Sequence, residues 1–256
     1  MKIAVCVKQV PTRDWQPRVN ADGTWIRDDD ASFEMNEPDA YALEEALRLR
    51  ETLGGDVVVC SAGPARVAQV LREALARGAD RALHVSSDAL ATADASTVGT
   101  ALADAMRDEA FDLVLTGLQS DDQGFAQTGV VLAERLGASH ATIVMEVQAD
   151  AAARSLRVKR ELEGGWFQWI ALPMPAVLTI QSGINQLRYA TLKGIMAAKK
   201  KELRVVEPAA AAAATLTITK LAAPDKTRHT HMIEGSAAEA AAELLRLLRD
   251  EARVLA

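Results

Sequence analysis

Residues 111–136 read FDLVLTGLQSDDQGFAQTGVVLAERL, and this stretch decides the fold. Its apolar start, residues 111–117, predicts a buried strand, and residues 126–136 have the apolar spacing of a helix. The segment between them is polar and contains glycine, which is typical of a loop. The stretch therefore predicts one strand–loop–helix unit.

Similar units precede this one in the chain. Further strands are predicted over residues 3–8, 56–62 and 81–85, and helices over residues 37–51, 64–77 and 96–107. Asn36 followed by Asp39 predicts a capping box at the first helix. Buried strands that alternate with helices predict a parallel sheet covered on both faces. We expect an α/β fold with a doubly wound, mostly parallel, Rossmann-like sheet.

The pattern changes after residue 138. Strands are predicted over residues 141–148, 154–162 and 166–172, and residues 163–165, Glu-Gly-Gly, are typical of a hairpin turn. We expect an antiparallel extension of the sheet, followed by an apolar strand over residues 176–181.

The C-terminal part predicts a separate arm. Residues 208–214, PAAAAAA, are of low complexity and predict a linker, and the alternating TLTITK at 215–220 predicts a short strand. Ser236 and Glu239 form a capping-box pattern at the start of a terminal helix. We expect an α/β domain over residues 1–207 and a linker with a C-terminal arm over 208–256.

Composition narrows the class of protein. The chain has 256 residues and a net charge of −6, and no basic stripe indicates nucleic-acid binding. Cys6 and Cys60 lie in apolar strand-like runs, which predicts buried thiols in a reducing compartment. No run approaches the roughly 20 apolar residues of a membrane helix, and no signal peptide is recognised at the start. We expect a bacterial cytoplasmic protein without direct membrane insertion.

The loop at residues 117–129 is a candidate anion site. Its free backbone amides and the start of the following helix suit a phosphate, and Gln119, Ser120, Gln127 and Thr128 offer hydrogen bonds to ribose or phosphate. Asp121 and Asp122 would repel a phosphate placed beside them, so they are expected to be helix caps or acceptors for ribose or adenine. The pattern is neither a Walker loop nor a dinucleotide fingerprint, so a turn without a ligand remains open.

A second loop, SGINQLRYATLKGIMAAKKK at 182–201, indicates a docking surface. It leaves an apolar strand with apolar and aromatic side chains and ends in three lysines, Lys199–Lys201. Exposed apolar side chains of this kind usually need a partner to cover them. A surface loop with a solvated basic end is the alternative.

Seven motifs occur in family order along almost the whole chain. They are VCVKQV (5–10), MNEPDAYALEEALRLRE (35–51), SAGPARV (61–67), RGADRALHV (77–85), GLQSDDQGFAQTG (117–129), RELEGG (160–165) and RYATLKGIM (188–196). Together they resemble the β subunit of electron transfer flavoproteins. The resemblance implies an adenine-nucleotide-hydrolase-like fold and a heterodimer with an α subunit that carries the redox-active FAD.

The resemblance also implies AMP held by the β subunit as a structural ligand. The implied AMP-binding residues are Cys6, Asn36, Glu37, Pro38, Asp39, Ala62, Gly117, Leu118, Gln119, Ser120, Asp121, Asp122, Gln123, Gly124, Phe125, Ala126, Gln127 and Thr128. The backbone amides of residues 123–128 are the ones expected to bind the phosphate. No catalytic residue and no metal ligand is implied.

Partner contacts are carried over in the same way. The implied docking residues for primary dehydrogenases are Leu187, Tyr189, Leu192, Ile195, Met196 and Lys200, with Leu192 as the anchor. Glu161 is expected to pair with an arginine of the α subunit, and the C-terminal arm to pack on that subunit. Ala197 stands where family members can carry a lysine. Electrons would pass onward to a membrane quinone oxidoreductase or another acceptor, with a donor that the sequence does not identify.

Two alternatives stay open. Some family members bind a second FAD in the β subunit and bifurcate electrons, but the bulky Phe125 and the adjacent Asp121-Asp122 favour AMP. A nucleotide hydrolase, an adenylating enzyme or a stand-alone stress protein would share the α/β core. A hydrolase or an adenylating enzyme would need a base, a metal site or a nucleophile near the loop at 117–129. The sequence shows no such group of residues, and His84, His140, His229 and His231 are scattered.

Overall fold

A computed structural model describes residues 1–209, 214–224 and 230–255. The chain divides into two compact units, Met1–Leu221 and Ala222–Ala256. The described strands are β1 Lys2–Cys6, β2 Gln9–Pro11, β3 Arg18–Val19, β4 Ile26–Arg27, β5 Phe33–Met35, β6 Asp56–Gly63, β7 Arg81–Ser86, β8 Leu113–Gly117, β9 Ser139–Asp150, β10 Ser155–Glu161, β11 Phe167–Pro173, β12 Ala176–Ile180 and β13 Leu203–Val206. The described helices are α1 Glu37–Leu53, α2 Ala68–Arg77, α3 Ala95–Met106, α4 Thr128–Leu136, α5 Leu192–Ala198 and α6 Ala237–Arg246.

One large sheet organises the first unit. Its strand order is β11-β10-β9-β12-β8-β1-β6-β7-β13. The strands from β9 to β13 in this order run parallel, whereas β10 pairs antiparallel with both β9 and β11. This confirms the predicted α/β fold with an antiparallel extension. β1 lies at the centre, between β6 and β8, and places the start of the chain in the middle of the core.

The core has two layers because alternate residues of each strand point to opposite faces. Ile3 and Val5 of β1 belong to the cluster that contains the buried faces of α1 and α2. Ala4 and Cys6 belong to the opposite cluster, with α3 and α4. Helices therefore cover both faces, as expected for a parallel sheet.

Several element boundaries differ from the sequence predictions. α4 begins at Thr128 and not at residue 126, because Ala126 has a φ of 55°, which a right-handed helix excludes. The predicted strand at 215–220 is wrong: the amides of Thr215 and Leu216 donate to the carboxylate of Asp94 and not to a neighbouring strand. Strands β2–β5 and β13 were missed.

The second unit contains α6. Its predicted capping box is confirmed: the side chain of Ser236 accepts from the amide of Glu239, whose carboxylate accepts from the amide of Ser236. Leu244 and Leu245 are exposed apolar residues of this helix. Residues 210–213 of the predicted linker lie outside the described residues. None of the described helices is both long and apolar enough to span a membrane.

Candidate functional site

A cavity of about 980 Å³ lies where β1, β6 and β8 end and where α3 and α4 begin. Parallel sheets commonly bind ligands at this edge, beyond the carboxyl ends of their strands. The volume is near the upper end of the range of about 300–1,000 Å³ that is usual for small-molecule pockets. The cavity is the candidate ligand site.

Asn36, at the start of α1, holds the loop that follows β8. Its Nδ2 donates to the carbonyl of Gln119 at 3.0 Å, and its Oδ1 accepts from the amide of Asp121 at 2.9 Å. Asn36 is buried, and its side chain makes no cap bond to α1. The predicted capping box is therefore wrong, because the side-chain groups of Asn36 are used by the neighbouring loop.

Asp39 ties the ends of β1 and β8 together. Its Oδ1 accepts from the amide of Gly117 at 2.8 Å and its Oδ2 from the amide of Lys8 at 2.7 Å. Burial raises the pKa of Asp39 to about 7, although these two hydrogen bonds act in the opposite direction. A Cβ on Gly117 would lie 2.4 Å from Oδ1 of Asp39 and 2.7 Å from Cβ of Pro38, so only glycine allows this approach.

The start of α4 is pressed against the sheet. A Cβ on Gly129 would lie 2.6 Å from Cγ2 of Thr179 and 2.8 Å from Oγ1 of Thr116. A glycine at this position therefore lets the helix end come close to β8 and β12. The N-terminus of α4 is thereby fixed at the edge of the cavity.

The backbone just before α4 has a conformation that can bind an anion. Ala126 is left-handed and Gln127 right-handed in backbone conformation, a combination in which successive N–H groups form a concave nest for an anion. Within the described part of the chain, no oxygen accepts a hydrogen bond from the amides of residues 125–128. These donors, with the partial positive charge at the N-terminus of α4, can bind a phosphate.

The loop's acidic side chains are paired at the rim. Lys8 Nζ lies 2.7 and 2.8 Å from the two carboxylate oxygens of Asp122 and 3.3 Å from Oγ of Ser120. Arg13 forms ion pairs with Glu37 and with Asp121. Neither aspartate caps α4, but Asp121 Oδ2 accepts a long hydrogen bond of 3.5 Å from the amide of Glu37, the first residue of α1. Pairing with Lys8 and Arg13 reduces the repulsion that these aspartates would exert on a bound anion.

Two buried thiols lie near the site, and neither has the lowered pKa of a nucleophilic cysteine. Cys6 lines the cavity, and burial raises its pKa well above the ordinary value, with a smaller effect from nearby Cys60 and Asp39. Burial likewise raises the pKa of Cys60 to about 12. Both cysteines are free and protonated at neutral pH, which fits close packing and not chemistry.

Most of the residues that sequence reasoning selected come together at the cavity. Those that line it are Cys6, Asn36, Asp39, Ala62, Gly117, Leu118, Gln119, Ser120, Gln123, Phe125, Ala126, Gln127 and Thr128. Those that do not are Glu37, Pro38, Asp121, Asp122 and Gly124. Phe125 lines the cavity although its side chain is 56% exposed.

Sequence reasoning missed two walls of the cavity. Asn20, Thr24 and Trp25 belong to the hairpin of β3 and β4, and its Asp22-Gly23 dipeptide is a turn signal that was available in the sequence. The second missed wall consists of residues before and within α3 and of residues at and after the end of the alanine-rich stretch; they are Thr92, Ala93, Asp94, Ala95, Val98, Leu102, Ala214, Leu216, Thr217 and Ile218.

A second candidate site is an apolar surface on α5 and the segment before it, formed by Tyr189, Leu192, Ile195 and Met196, here termed the docking surface. Tyr189 is 87% exposed and Leu192 84% exposed. Apolar side chains exposed side by side on a monomer indicate an interaction site.

The remaining predicted docking residues have different environments. Lys200 is exposed. Leu187 is only partly exposed and packs against the main core. Glu161 accepts a long hydrogen bond of 3.5 Å from Gln181. Exposed Trp166 and Phe167 follow on the same hairpin.

Charged side chains fix the base of the docking surface. Arg188 donates from Nε to Glu44 at 2.7 Å and from Nη1 to Glu51 at 2.6 Å, which joins the loop to α1. Lys201 Nζ donates to the carbonyls of Leu75 at 3.1 Å and Ala79 at 2.6 Å at the end of α2. The three lysines are thus not equivalent, because Lys201 is part of the fold.

α5 packs directly on α2. A Cβ on Gly194 would lie 2.2 Å from the carbonyl oxygen of Ala76, so the two backbones approach closely. Arg72 Nη1 donates to the carbonyls of Ala198 at 2.7 Å and Lys201 at 2.9 Å. The docking surface is therefore apolar at its tip and rigid at its base.

Among the residues that the structure describes, no group of three or more His, Cys, Asp or Glu side chains is placed to hold a metal ion. His84 is buried, with Nε2 3.1 Å from the carbonyl of Gly63.

Comparisons with known proteins agree on one family. Residues 24–211 match the family model described as "Electron transfer flavoprotein domain". The chain is 39% identical over 261 residues to an electron transfer flavoprotein subunit beta of Methylophilus methylotrophus, with 98% of each chain covered. It is 32% identical over 262 residues to a protein of the same description from Bacillus subtilis, with full coverage of both. The corresponding human protein is 37% identical over 214 residues, which cover 81% of this chain and 82% of the human one.

Proposed function

The chain belongs to the β subunits of the electron transfer flavoprotein family, and on this premise we propose that it holds AMP in its cavity, pairs with an α subunit and docks primary dehydrogenases. FAD, held mainly by the α subunit, supplies the redox chemistry of the complex. The β chain itself catalyses no bond chemistry. It works in the bacterial cytoplasm, and electrons pass onward to a quinone oxidoreductase.

The observation that carries the AMP proposal is the nest of free amides at the cavity. Within the residues that the structure describes, the amides of residues 125–128 donate to no oxygen and lie at the N-terminus of α4, while Asn36 and Asp39 hold the loop in place. A phosphate bound there gains several hydrogen bonds without rearranging the loop. Gln119, Ser120 and Gln127 also line the cavity and offer partners for ribose. The residues present therefore fit an adenine mononucleotide.

AMP in this position acts as a structural ligand. It joins the ends of β1, β6 and β8 to the starts of α3 and α4, which all border the cavity. A ligand that binds only the folded state stabilises it by mass action, by about 2.7 kcal/mol at a hundredfold excess over the dissociation constant.

Titration calorimetry of the nucleotide-free heterodimer with AMP tests this proposal. We expect Gln127→Ala, at the cavity, to weaken AMP binding by about tenfold, in line with the loss of one hydrogen bond. Gln186→Ala, at an exposed position outside the cavity, is the matched control and should bind AMP as the unmodified protein does. Equal affinities in all three proteins, or no affinity in any, would contradict the assignment of the cavity.

The docking proposal rests on the fixed base and exposed tip of the docking surface. Arg188 and Lys201 hold the segment against α1 and α2, whereas Leu192 and Tyr189 project into solvent. A preformed apolar surface binds a partner at a low entropic cost because little needs to be ordered on contact. Lys200 at its rim would steer an acidic dehydrogenase toward the surface.

A further inference from the structure

Residues 214–221, here termed the strap, form a wall of the cavity. Ala214, Leu216, Thr217 and Ile218 of this segment line it. The strap is neither helix nor strand, and most of its residues are exposed; Leu216 is 57% exposed. It therefore buries little apolar surface, and specific hydrogen bonds must hold it in place.

One end of the strap is held by Asp94, the N-cap residue of α3. Asp94 Oδ2 accepts from the amide of Thr215 at 2.6 Å, from its hydroxyl at 2.7 Å and from the amide of Leu216 at 2.8 Å. The other oxygen, Oδ1, accepts from the amide of Thr97 at 2.8 Å and caps the helix. A single carboxylate therefore joins the start of α3 to the strap.

The other end of the strap is held by the hairpin of β3 and β4. The amide of Leu221 donates to the carbonyl of Gly23 at 2.7 Å. Asn20 Oδ1 accepts from the amides of Thr24 and Trp25 and shapes this turn. The strap thus runs between two walls of the cavity and is attached to both.

The charge of Asp94 makes its contacts strong. Burial alone would raise the pKa of Asp94, but hydrogen bonds from Thr97 and Thr215 outweigh it and hold the pKa far below its ordinary value. The group is a carboxylate at all pH values near neutrality. Hydrogen bonds from neutral donors to a carboxylate are stronger than those between neutral groups.

We infer that Asp94 is a latch that holds the strap over the cavity, so that a bound nucleotide leaves only after the strap detaches from Asp94. This inference rests on the proposed function, because the ligand is the AMP proposed there. The latch sets the rate of nucleotide exchange, while the amides near α4 set the affinity for the phosphate.

The variant Asp94→Asn tests the contacts with the strap while it keeps the cap of α3. Asparagine caps helices as well as aspartate, but its amide NH2 group cannot accept from Thr215 or Leu216, and its one oxygen cannot serve both α3 and the strap. We expect α3 to remain intact and radiolabelled AMP to leave the heterodimer more than about tenfold faster than from the unmodified protein, because three donors of the strap lose their charged acceptor. The measurement is retention of the label during a chase with unlabelled AMP.

Two strap variants make the test independent of Asp94. Thr215→Val removes only the hydroxyl donor and should speed release by a smaller factor than Asp94→Asn. Thr219→Val is the control, because Thr219 is an exposed strap residue that does not line the cavity. Release from Asp94→Asn and Thr215→Val at the unmodified rate would overturn the latch and leave AMP binding intact. Failure of the unmodified protein to bind AMP would overturn the proposed function and the latch together.

Discussion

Asn36 shows how one side chain at the start of a helix can organise a neighbouring loop. Its amide group bonds both Gln119 and Asp121, and these contacts shape the loop of the candidate AMP site. Asn36 is almost fully buried, whereas Gln119 and Asp121 are exposed residues of the loop, so its side chain fixes the loop to the start of α1.

We expect Asn36→Ala to lower the free energy of unfolding by about 1–3 kcal/mol, because it removes two hydrogen bonds worth about 0.5–1.5 kcal/mol each. Urea unfolding of the nucleotide-free protein measures this change. Gln186→Ala, an exposed control, should change it by less than about 0.5 kcal/mol. An unfolding free energy for Asn36→Ala that matches this control would refute the role of Asn36 in the loop.

Leu192 is the residue on which the docking proposal depends most. It is 84% exposed at the start of α5, where Thr191 caps the helix through the amide of Gly194. We expect Leu192→Ala to weaken binding of the dehydrogenase that reduces the complex fastest by about 1–3 kcal/mol, as for an apolar hot spot. Assembly with the α subunit should be unaffected. Binding can be measured by surface plasmon resonance or from the kinetics of electron transfer.

Val205→Ala is the matched control for Leu192→Ala. Val205 is also an exposed aliphatic residue, but it lies on β13, away from the docking surface. If both variants bind the dehydrogenase as the unmodified protein does, the docking surface lies elsewhere.

At the scale of elements, Lys201 joins α5 to α2. Its amine caps the last carbonyls of α2 and the turn that follows, and burial lowers its pKa from the ordinary value. Lys200, the adjacent residue, is exposed. We expect Lys201→Met to lower the melting temperature by several degrees, because two carbonyls lose a charged donor worth about 1–3 kcal/mol.

Lys200→Met provides the comparison for Lys201→Met. It should leave the melting temperature unchanged and slow association with an acidic dehydrogenase, since exposed rim charges act mainly on association rates. Equal thermal stability of the two variants would show that Lys201 is not part of the fold.

Glu109 joins three strands near their amino ends, on the side of the sheet opposite to the cavity. Its carboxylate pairs with Lys2 of β1, Arg81 of β7 and Arg204 of β13. The hydrogen bond from Arg81, followed by that from Lys2, lowers the pKa of Glu109 to about 2, although burial opposes this shift.

A lowered pKa in the folded state means that Glu109 stabilises the protein above its unfolded pKa of about 4.3 and that this contribution is lost as the pH falls toward 2. We expect about 1–2 kcal/mol after screening by solvent. Urea unfolding at pH 7 and pH 3 should show a smaller loss of stability on acidification in Glu109→Gln than in the unmodified protein. The same loss in both proteins would contradict the stabilising role of this cluster.

The regular elements could be predicted from the sequence, and the irregular ones could not. Strands β1, β6, β7 and β8 are continuous apolar runs, and their burial on both faces explains that pattern. Strands β2–β5 have only two or three residues each, which is too short for any periodicity. The alternation at 215–220 was misleading, because Asp94 takes the amides that a strand would need.

The candidate site likewise has a part that could be predicted from the sequence and a part that could not. The loop at 117–129 was recognisable because a strand end, a helix start and glycines occur together. Asp94 and Trp25 were not found, since the sequence does not show that distant segments meet at one cavity. The role of Lys201 in the fold was not predicted, because its acceptors are backbone carbonyls, which no sequence pattern reveals.

At the scale of the whole molecule, the sheet separates two tasks. The cavity lies at the carboxyl ends of β1, β6 and β8, while the docking surface is carried by α5 on the outer side of α2. A nucleotide bound in the cavity would stabilise the fold without covering the docking surface proposed for a dehydrogenase. This division suits a subunit that supports electron transfer without carrying out the chemistry itself.

The central claim is that this chain holds AMP beside an α subunit that holds FAD. The most direct test is to express both chains together, purify the heterodimer, denature it and identify the released nucleotides by chromatography. We expect one AMP and one FAD per heterodimer. Two FAD molecules without AMP would mean that the cavity accepts a flavin despite Phe125, and release of neither nucleotide would contradict the assignment of the cavity.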